Sequence, residues 1–264
     1  MVGSEDVNGY WGPITASTEW CETNYAVTEY VAEFYNTISN LVSVLLGLLG
    51  LVSCIRQGFE RRFICLYLSV IAGGIGSALF HSTLRNVQQQ SDETPMVWNA
   101  LIYLYVLYSP DWHYRKAMPT FLFFYATIFA VIHNSARFVL GFQLHYIFLV
   151  MLCMPRMYKY YLSCSNPEAR KVAHIYLHTL ILGSICWLID RTFCTWIERV
   201  MPFNFQGHAW WHVLMGVNSY YGCTFLQYCR GGQLDRDPKI TFFLGLPLVK
   251  LTKPVRLKEP EKES

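Results

Sequence analysis

Two of the eight histidines, His208 and His212, stand at i and i+4. On a helix that spacing puts both imidazoles on one face, where neutral rings can share a zinc ion. His81 lies in another apolar stretch and supplies the third candidate ligand; three imidazoles plus water make a catalytic tetrahedral site with one open position. Ser77, one helical turn before His81, shares its face, and Asp92 follows in what reads as a short loop. Such a set suits hydrolysis by zinc-activated water, with Asp92 as general base and acid and Ser77 hydrogen-bonding a developing oxyanion. A second set competes. His174 and His178 are also i and i+4, and His113 falls at the corresponding end of another hydrophobic stretch. Spacing leaves both sets open, although His113 sits in a polar loop beside Asp111 and Arg115, with no acid placed as Asp92 is. His133 and His145 are expected to pack like aromatic rings with one hydrogen bond each.

The N-terminal segment offers different ligands. Glu19, Glu22, Asn24 and Glu33 are hard oxygen donors close together in sequence, and the backbone carbonyl of Trp20 lies among them. Calcium takes six to eight such oxygens. The spacing is not that of an EF-hand, and from the residues alone an ordinary solvated acidic loop is the preferred reading.

The elements that must carry these residues are membrane helices. Of 264 residues, 53% are hydrophobic and 15% charged, too apolar for an ordinary soluble domain. Seven stretches are long enough to cross a bilayer: Phe34 to Cys54, Phe63 to Leu84, Pro95 to Trp112, Met118 to Ala136, Phe138 to Pro155, Val172 to Cys194 and Gly207 to Tyr228. Only a tight turn around Arg137 separates the fourth from the fifth. Ile240 to Leu251 is too short to span, contains Pro247, and reads as an interfacial segment. The expected fold is an all-α integral membrane protein, a seven-transmembrane helix bundle. Residues 1–33 form an N-terminal segment, 34–228 the catalytic bundle and 229–264 a tail whose stretch from Lys250 to Ser264 reads as mostly disordered.

Charge orients the bundle. With the N-terminus outside or lumenal, only Arg85, Arg137, Arg191 and Arg199 of the 21 basic residues lie on the outer side, as the positive-inside rule expects. The C-terminus is then cytosolic, and His81, His208 and His212 share one lumenal-side layer. Glu5 and Asp6 belong to an acidic start with no Lys or Arg in the first 33 residues, the reverse of a signal peptide, so the first helix would do the targeting. Cys21 and Cys194 are the two lumenal cysteines, in a compartment that permits either a bridge or two free thiols. The net charge of +3 and the lack of a basic arm leave nucleic acid unsupported as a partner. No obligate protein partner is evident. Gly73, Gly74, Gly76 and Ala78 would let their helix approach a neighbour closely. Asp190 reads as an ion pair with Arg191 or a partner to a ligand, and Trp210 with Trp211 as interfacial belt and pocket wall.

Several motifs in order carry a family likeness: Gly9-Tyr-Trp-Gly-Pro13, Glu19-Trp-Cys-Glu-Thr-Asn24, Val31-Ala-Glu-Phe-Tyr-Asn36, Gly76-Ser77 with Phe80-His81 and Thr83-Leu84, Asp92-Glu93 with Pro95-Met96, Ile189-Asp190 with Phe193-Cys194, and His208-Ala-Trp-Trp-His212. On these, over most of its length, the sequence resembles the alkaline ceramidases, most closely the alkaline ceramidase 3 type, within a larger superfamily of seven-helix membrane hydrolases. Glu19 stands where related sequences often have Asp, and Ser82 with Gln88 to Ser91 replaces a more apolar stretch between His81 and Asp92.

The resemblance implies catalytic zinc on His81, His208 and His212, with Ser77 and Asp92 in the active site, and so favours this set over His113, His174 and His178. It likewise implies structural or regulatory calcium on Glu19, Trp20, Glu22, Asn24 and Glu33, and a Cys21–Cys194 disulfide. The expected reaction is hydrolysis of ceramide to a sphingoid base and a fatty acid in the endoplasmic reticulum or Golgi membrane, among membrane lipids. The rivals are a zinc-containing receptor of the adiponectin-receptor type, whose site lies on the opposite side of the membrane, and a transporter or scaffold in which the histidines relay protons or pack.

Overall fold

The computed structural model describes residues 9–136 and 138–253. The turn at Arg137, the acidic Glu5 and Asp6, and the tail beyond Lys253 lie outside the described residues. In chain order the elements are α1 (Phe34–Ser39), α2 (Leu41–Arg56), α3 (Arg61–Thr83), α4 (Asn86–Tyr108), α5 (Trp112–Ala136), α6 (Val139–Ser163), α7 (Pro167–Val200), α8 (Gly207–Gln233), β1 (Pro238–Phe243) and β2 (Leu246–Leu251). Only Asn40 separates α1 from α2, and its backbone is itself helical, so the two act as one rod.

Five rods are long and apolar enough to cross a membrane: Phe34–Arg56, Arg61–Thr83, Trp112–Ala136, Val139–Ser163 and Pro167–Ile197. The two others, α4 and α8, are as long but more polar, with Gln89 and Glu93 on one and His208, His212, Asn218 and Gln227 on the other. These side chains are buried, whereas Phe121 and Phe123 of α5, Phe148 of α6 and Ile181 of α7 are exposed. Polar helices inside and apolar helices outside is the order a hydrocarbon solvent imposes.

The structure corrects the start of the third expected span. It begins at Asn86, not Pro95, and Asp92 lies within α4 rather than in a loop. Only Leu84 and Arg85 separate α3 from α4, the former in the left-handed region at φ 49°. The polar first turns are helical because protein groups satisfy them. Asn86 N–H donates to Thr15 Oγ1 at 2.9 Å, and Ser91 Oγ donates to Gly76 O at 3.1 Å. Pro95 has no N–H for the Ser91 carbonyl, and that carbonyl presses against α3 where a Cβ on Gly76 would meet it at 1.9 Å. The glycines of α3 thus admit α4 at Gly76 and α2 at Gly74, beside Ser43 and Val44.

At the far end α8 continues to Gln233, and β1 and β2 pair antiparallel through Leu244 and Gly245, whose φ values are 49° and 79°. Two adjacent positive φ values make the tight turn whose twist suits a hairpin. Lys250 and Leu251, expected in a disordered tail, belong to β2, where Tyr220 Oη of α8 donates to Pro247 O at 2.8 Å. The segment from Gly9 to Glu33 has no helix. It is tied over the α3–α4 corner, with Thr15 and Ala16 amides donating to Leu84 O at 3.1 and 3.0 Å.

Candidate metal centre

α3 delivers His81 two residues before its end, and α8 delivers His208 and His212 in its first turns. One ring nitrogen from each lies within 4.8 Å of the others, and all three side chains are buried. Among the described residues no other group of histidine, cysteine or carboxylate side chains converges in this way.

Each ring is oriented from behind. His81 Nδ1 donates to Glu33 Oε2 at 2.5 Å, and Asn36 Nδ2 donates to the same oxygen at 3.1 Å. His212 Nδ1 donates to the Asn36 carbonyl at 3.1 Å, which fixes the tautomer and leaves Nε2 as the acceptor, 3.5 Å from Ser77 Oγ. His208 is held by its backbone, whose N–H donates to Asp190 Oδ1 at 3.1 Å, while Trp20 stacks on its ring with centroids 3.5 Å apart. His81 Nε2 and His208 Nδ1 are buried with no hydrogen-bond partner. Orphaned neutral nitrogens converging in a buried site fit a borderline cation such as zinc, and a carboxylate behind a ligating imidazole raises its basicity.

Ser77 and Asp92 line the cavity beside these rings. They come from α3 and α4 and face the same cavity. The cavity, about 560 Å³, is walled mainly by apolar side chains of α3, α4, α6, α7 and α8. Its walls include Ile147, Met151, Ile181 and Leu188, which are also exposed on the outer surface, so it opens sideways between α6 and α7. Trp211 lines it and Trp210 faces outward, a division of the two roles expected of the pair.

The oxygen-rich segment is folded against the same layer. Both Glu22 oxygens are engaged by the first amides of the α1–α2 rod, Tyr35 N–H at 2.7 Å and Asn36 N–H at 2.8 Å. Burial raises the Glu22 carboxyl above its usual range, against the opposing effect of those amides. Burial pushes Glu33 up to about 8, opposed by hydrogen bonds from Asn36 and the Trp20 amide and reinforced by the charge of Glu19. Glu33 Oε1 and Asn24 Oδ1 are buried without partners, the kind of oxygen a hard cation would take. Glu22 and Glu33 come together at Asn36, but Glu33 also serves His81 and Glu22 caps a helix.

The competing histidines stay apart. His174 Nε2 pairs with Tyr161 Oη at 2.9 Å, His178 Nδ1 donates to the His174 carbonyl at 2.8 Å, and both are exposed. His113 lies against Tyr114 with centroids 4.3 Å apart. Cys21 and Cys194 are joined, with Cα atoms 5.3 Å apart, and Asp190 Oδ2 accepts from Cys21 N–H at 3.0 Å. Asp190 therefore ties the N-terminal segment to the start of α8.

A family model described as ceramidase matches residues 12–250. The chain belongs to the ceramidase family. It is 54% identical over 252 residues to a protein named alkaline ceramidase from Arabidopsis thaliana, covering 95% of this chain and 98% of the relative. It is 34% identical to alkaline ceramidase 3 of Mus musculus, covering 93% and 96%, and 28% identical to alkaline ceramidase YPC1 of Saccharomyces cerevisiae, covering 85% and 79%. Membership makes the chain a hydrolase. The sequence does not reveal what orients the three candidate rings: the Glu33–His81 bond, the Asn36 carbonyl behind His212 and the Trp20 stack on His208. The available signal was the run Asn36, Ser39 and Asn40, polar residues at helical spacing in an otherwise apolar span.

Proposed function

We propose that this chain is a seven-span membrane amidase that hydrolyses ceramide to a sphingoid base and a fatty acid, using zinc held by His81, His208 and His212. The observation that carries the reading is the convergence of three buried, back-supported imidazoles on an apolar cavity that opens toward lipid. In this reading the N-terminus is lumenal and the C-terminus cytosolic, in the endoplasmic reticulum or Golgi membrane. α4 and α8 complete the seven spans despite their polarity because their polar faces are covered by protein.

Zinc, when bound, supplies Lewis acidity to the amide carbonyl and acidity to water. The side chains do the rest. Asp92 takes the proton of the attacking water and returns it to the departing amine nitrogen. Ser77 donates to the oxygen on which negative charge develops, across from Asp92 on the facing helix. Apolar walls receive the two chains sideways from the bilayer and exclude bulk water. Glu19, Trp20, Glu22, Asn24 and Glu33 would hold calcium, which would steady the N-terminal segment against the site, and the Cys21–Cys194 disulfide fastens that segment to α7.

The test is release of sphingoid base from ceramide by purified protein in lipid nanodiscs. Wild type should turn over, and Asp92→Ala should fall by at least about a hundredfold. Wild-type protein that binds zinc and releases no sphingoid base would favour a receptor instead.

A further inference from the structure

A second ionisable pair lies inside the bundle, away from the three histidines. Glu93 of α4 and His133 of α5 are both buried, with His133 Nε2 donating to Glu93 Oε2 at 2.5 Å. His133 is the one buried residue among the described residues of α5, a helix that otherwise presents itself to lipid. The other carboxylate oxygen is engaged as well: Gln89 Nε2 donates to Glu93 Oε1 at 2.9 Å, and Gln89 Oε1 accepts from the Ser17 amide and hydroxyl at 2.8 and 2.9 Å. Glu93 is thus held from two sides, and it lines the cavity next to Asp92.

Consecutive carboxylates at membrane depth are costly, and an ionisable residue there points to function with a named partner. Two neighbouring carboxylates resist holding two charges unless a cation offsets one. The groups around the pair offer one strong candidate. On α4 stand Asp92 and neutral Gln89; from the N-terminal segment comes the Ser17 hydroxyl. Phe129 of α5 and Phe142 of α6 cover the His133 ring, and His145 of α6 lies beyond, paired with Tyr125 Oη at 2.5 Å. Ser77 of α3 lines the cavity with Asp92, and Glu33 stands behind His81. Only His133 brings a donor to the Glu93 carboxylate that can also carry positive charge.

We propose that His133 is a positioning cation: it neutralises Glu93 so that the adjacent Asp92 keeps both its charge and its place as the base of the reaction. The inference rests on the reading of Asp92 given above. It makes Glu93 and His133 positioning residues, acting through Asp92 without touching the amide.

A charge pair and a merely structural hydrogen bond leave different signatures. His133→Gln keeps a donor but strands the Glu93 charge beside Asp92, so kcat should fall about thirtyfold with KM changed less than about twofold, and the acid limb of kcat/KM should move to higher pH. Glu93→Gln removes the charge that needs neutralising and should cost only about threefold. The double variant Glu93→Gln/His133→Gln should recover about tenfold over His133→Gln, and its acid limb should return toward wild type. A double variant no better than His133→Gln, or a Glu93→Gln variant as damaged as His133→Gln, would overturn the proposal. Should His133→Gln not fold, the double variant is compared with Glu93→Gln; equal rates support the proposal, and a further drop of more than about threefold overturns it. Asp92→Asn in the same series separates the two readings. Full activity there removes Asp92 as base, whereas its loss without rescue in the double variant counts against the role of His133 alone.

Discussion

The molecule carries an i, i+4 histidine pair at each of two places, and the two differ in everything except spacing. His208 and His212 are buried, meet His81 from another helix, and have rings or backbone fixed by Trp20, Asp190 and Asn36. His174 and His178 are exposed and settle their hydrogen bonds on Tyr161 and on their own helix. Spacing gives two rings one face; a metal site also needs a third ring, burial, and nitrogens left without partners. Only the first place has these.

The sharpest way to break this comparison is to remove a ring from each place. His212→Ala should lower sphingoid-base release by at least about a thousandfold, and His178→Ala should leave it within about twofold, since an exposed ring that bonds only its own helix supports nothing else. Comparable losses from both would erase the distinction. Next in size is the carboxylate behind His81. Glu33→Gln keeps an acceptor but replaces the carboxyl group that backs the His81 ring, and zinc affinity should weaken about ten- to a hundredfold in competition with a chelator. Unchanged affinity would mean that Glu33 serves only the N-terminal segment. The strap over the site end comes third. Cys21→Ser should lower the unfolding free energy by about 2–4 kcal/mol, read as a lower melting temperature in nanodiscs, by freeing the segment that carries Trp20.

The smallest effect sharpens the contrast from the opposite end. There Glu60, before α3, accepts from Arg62 at 3.0 Å and from Arg230 Nε at 2.6 Å. Burial would raise its carboxyl, but the two arginines outweigh that and hold it below its usual value of 4.5. A lowered folded-state value means stabilisation present above the ordinary carboxylate range and lost as pH falls through the lowered value. The melting temperatures of wild type and Glu60→Gln should therefore differ near neutral pH and converge in acid, with little change in zinc content at neutral pH. A gap that widened in acid would contradict this assignment.

Much of the site was legible in the sequence because buried ionisable residues stand out in apolar stretches. His81, His208, His212 and Ser77 were placed by helical periodicity and topology. What separated them from the rival histidines was family likeness. The sequence pattern puts Asp92 in a loop, because Gln88 to Thr94 looks too polar for a membrane helix and Pro95 looks like a start. The helix begins earlier because Thr15, Ser17 and α3 satisfy those residues across chain separations that no local pattern reveals. Glu33 shows the same limit: its type suggested an oxygen ligand, and only the fold shows that it also backs His81. The hairpin after α8 was hidden for a different reason. Its apolar run fits an interfacial segment of any conformation, and the deciding signal was the pair Leu244 and Gly245 at the turn.

The most direct test of the account is the metal content of purified full-length protein, measured by mass spectrometry for wild type, His81→Ala and His174→Ala. The account predicts about one zinc per chain in wild type and in His174→Ala and close to none in His81→Ala, since three imidazoles form the site. Zinc retained in His81→Ala but lost in His174→Ala, or wild-type protein that releases sphingoid base without zinc, would contradict it.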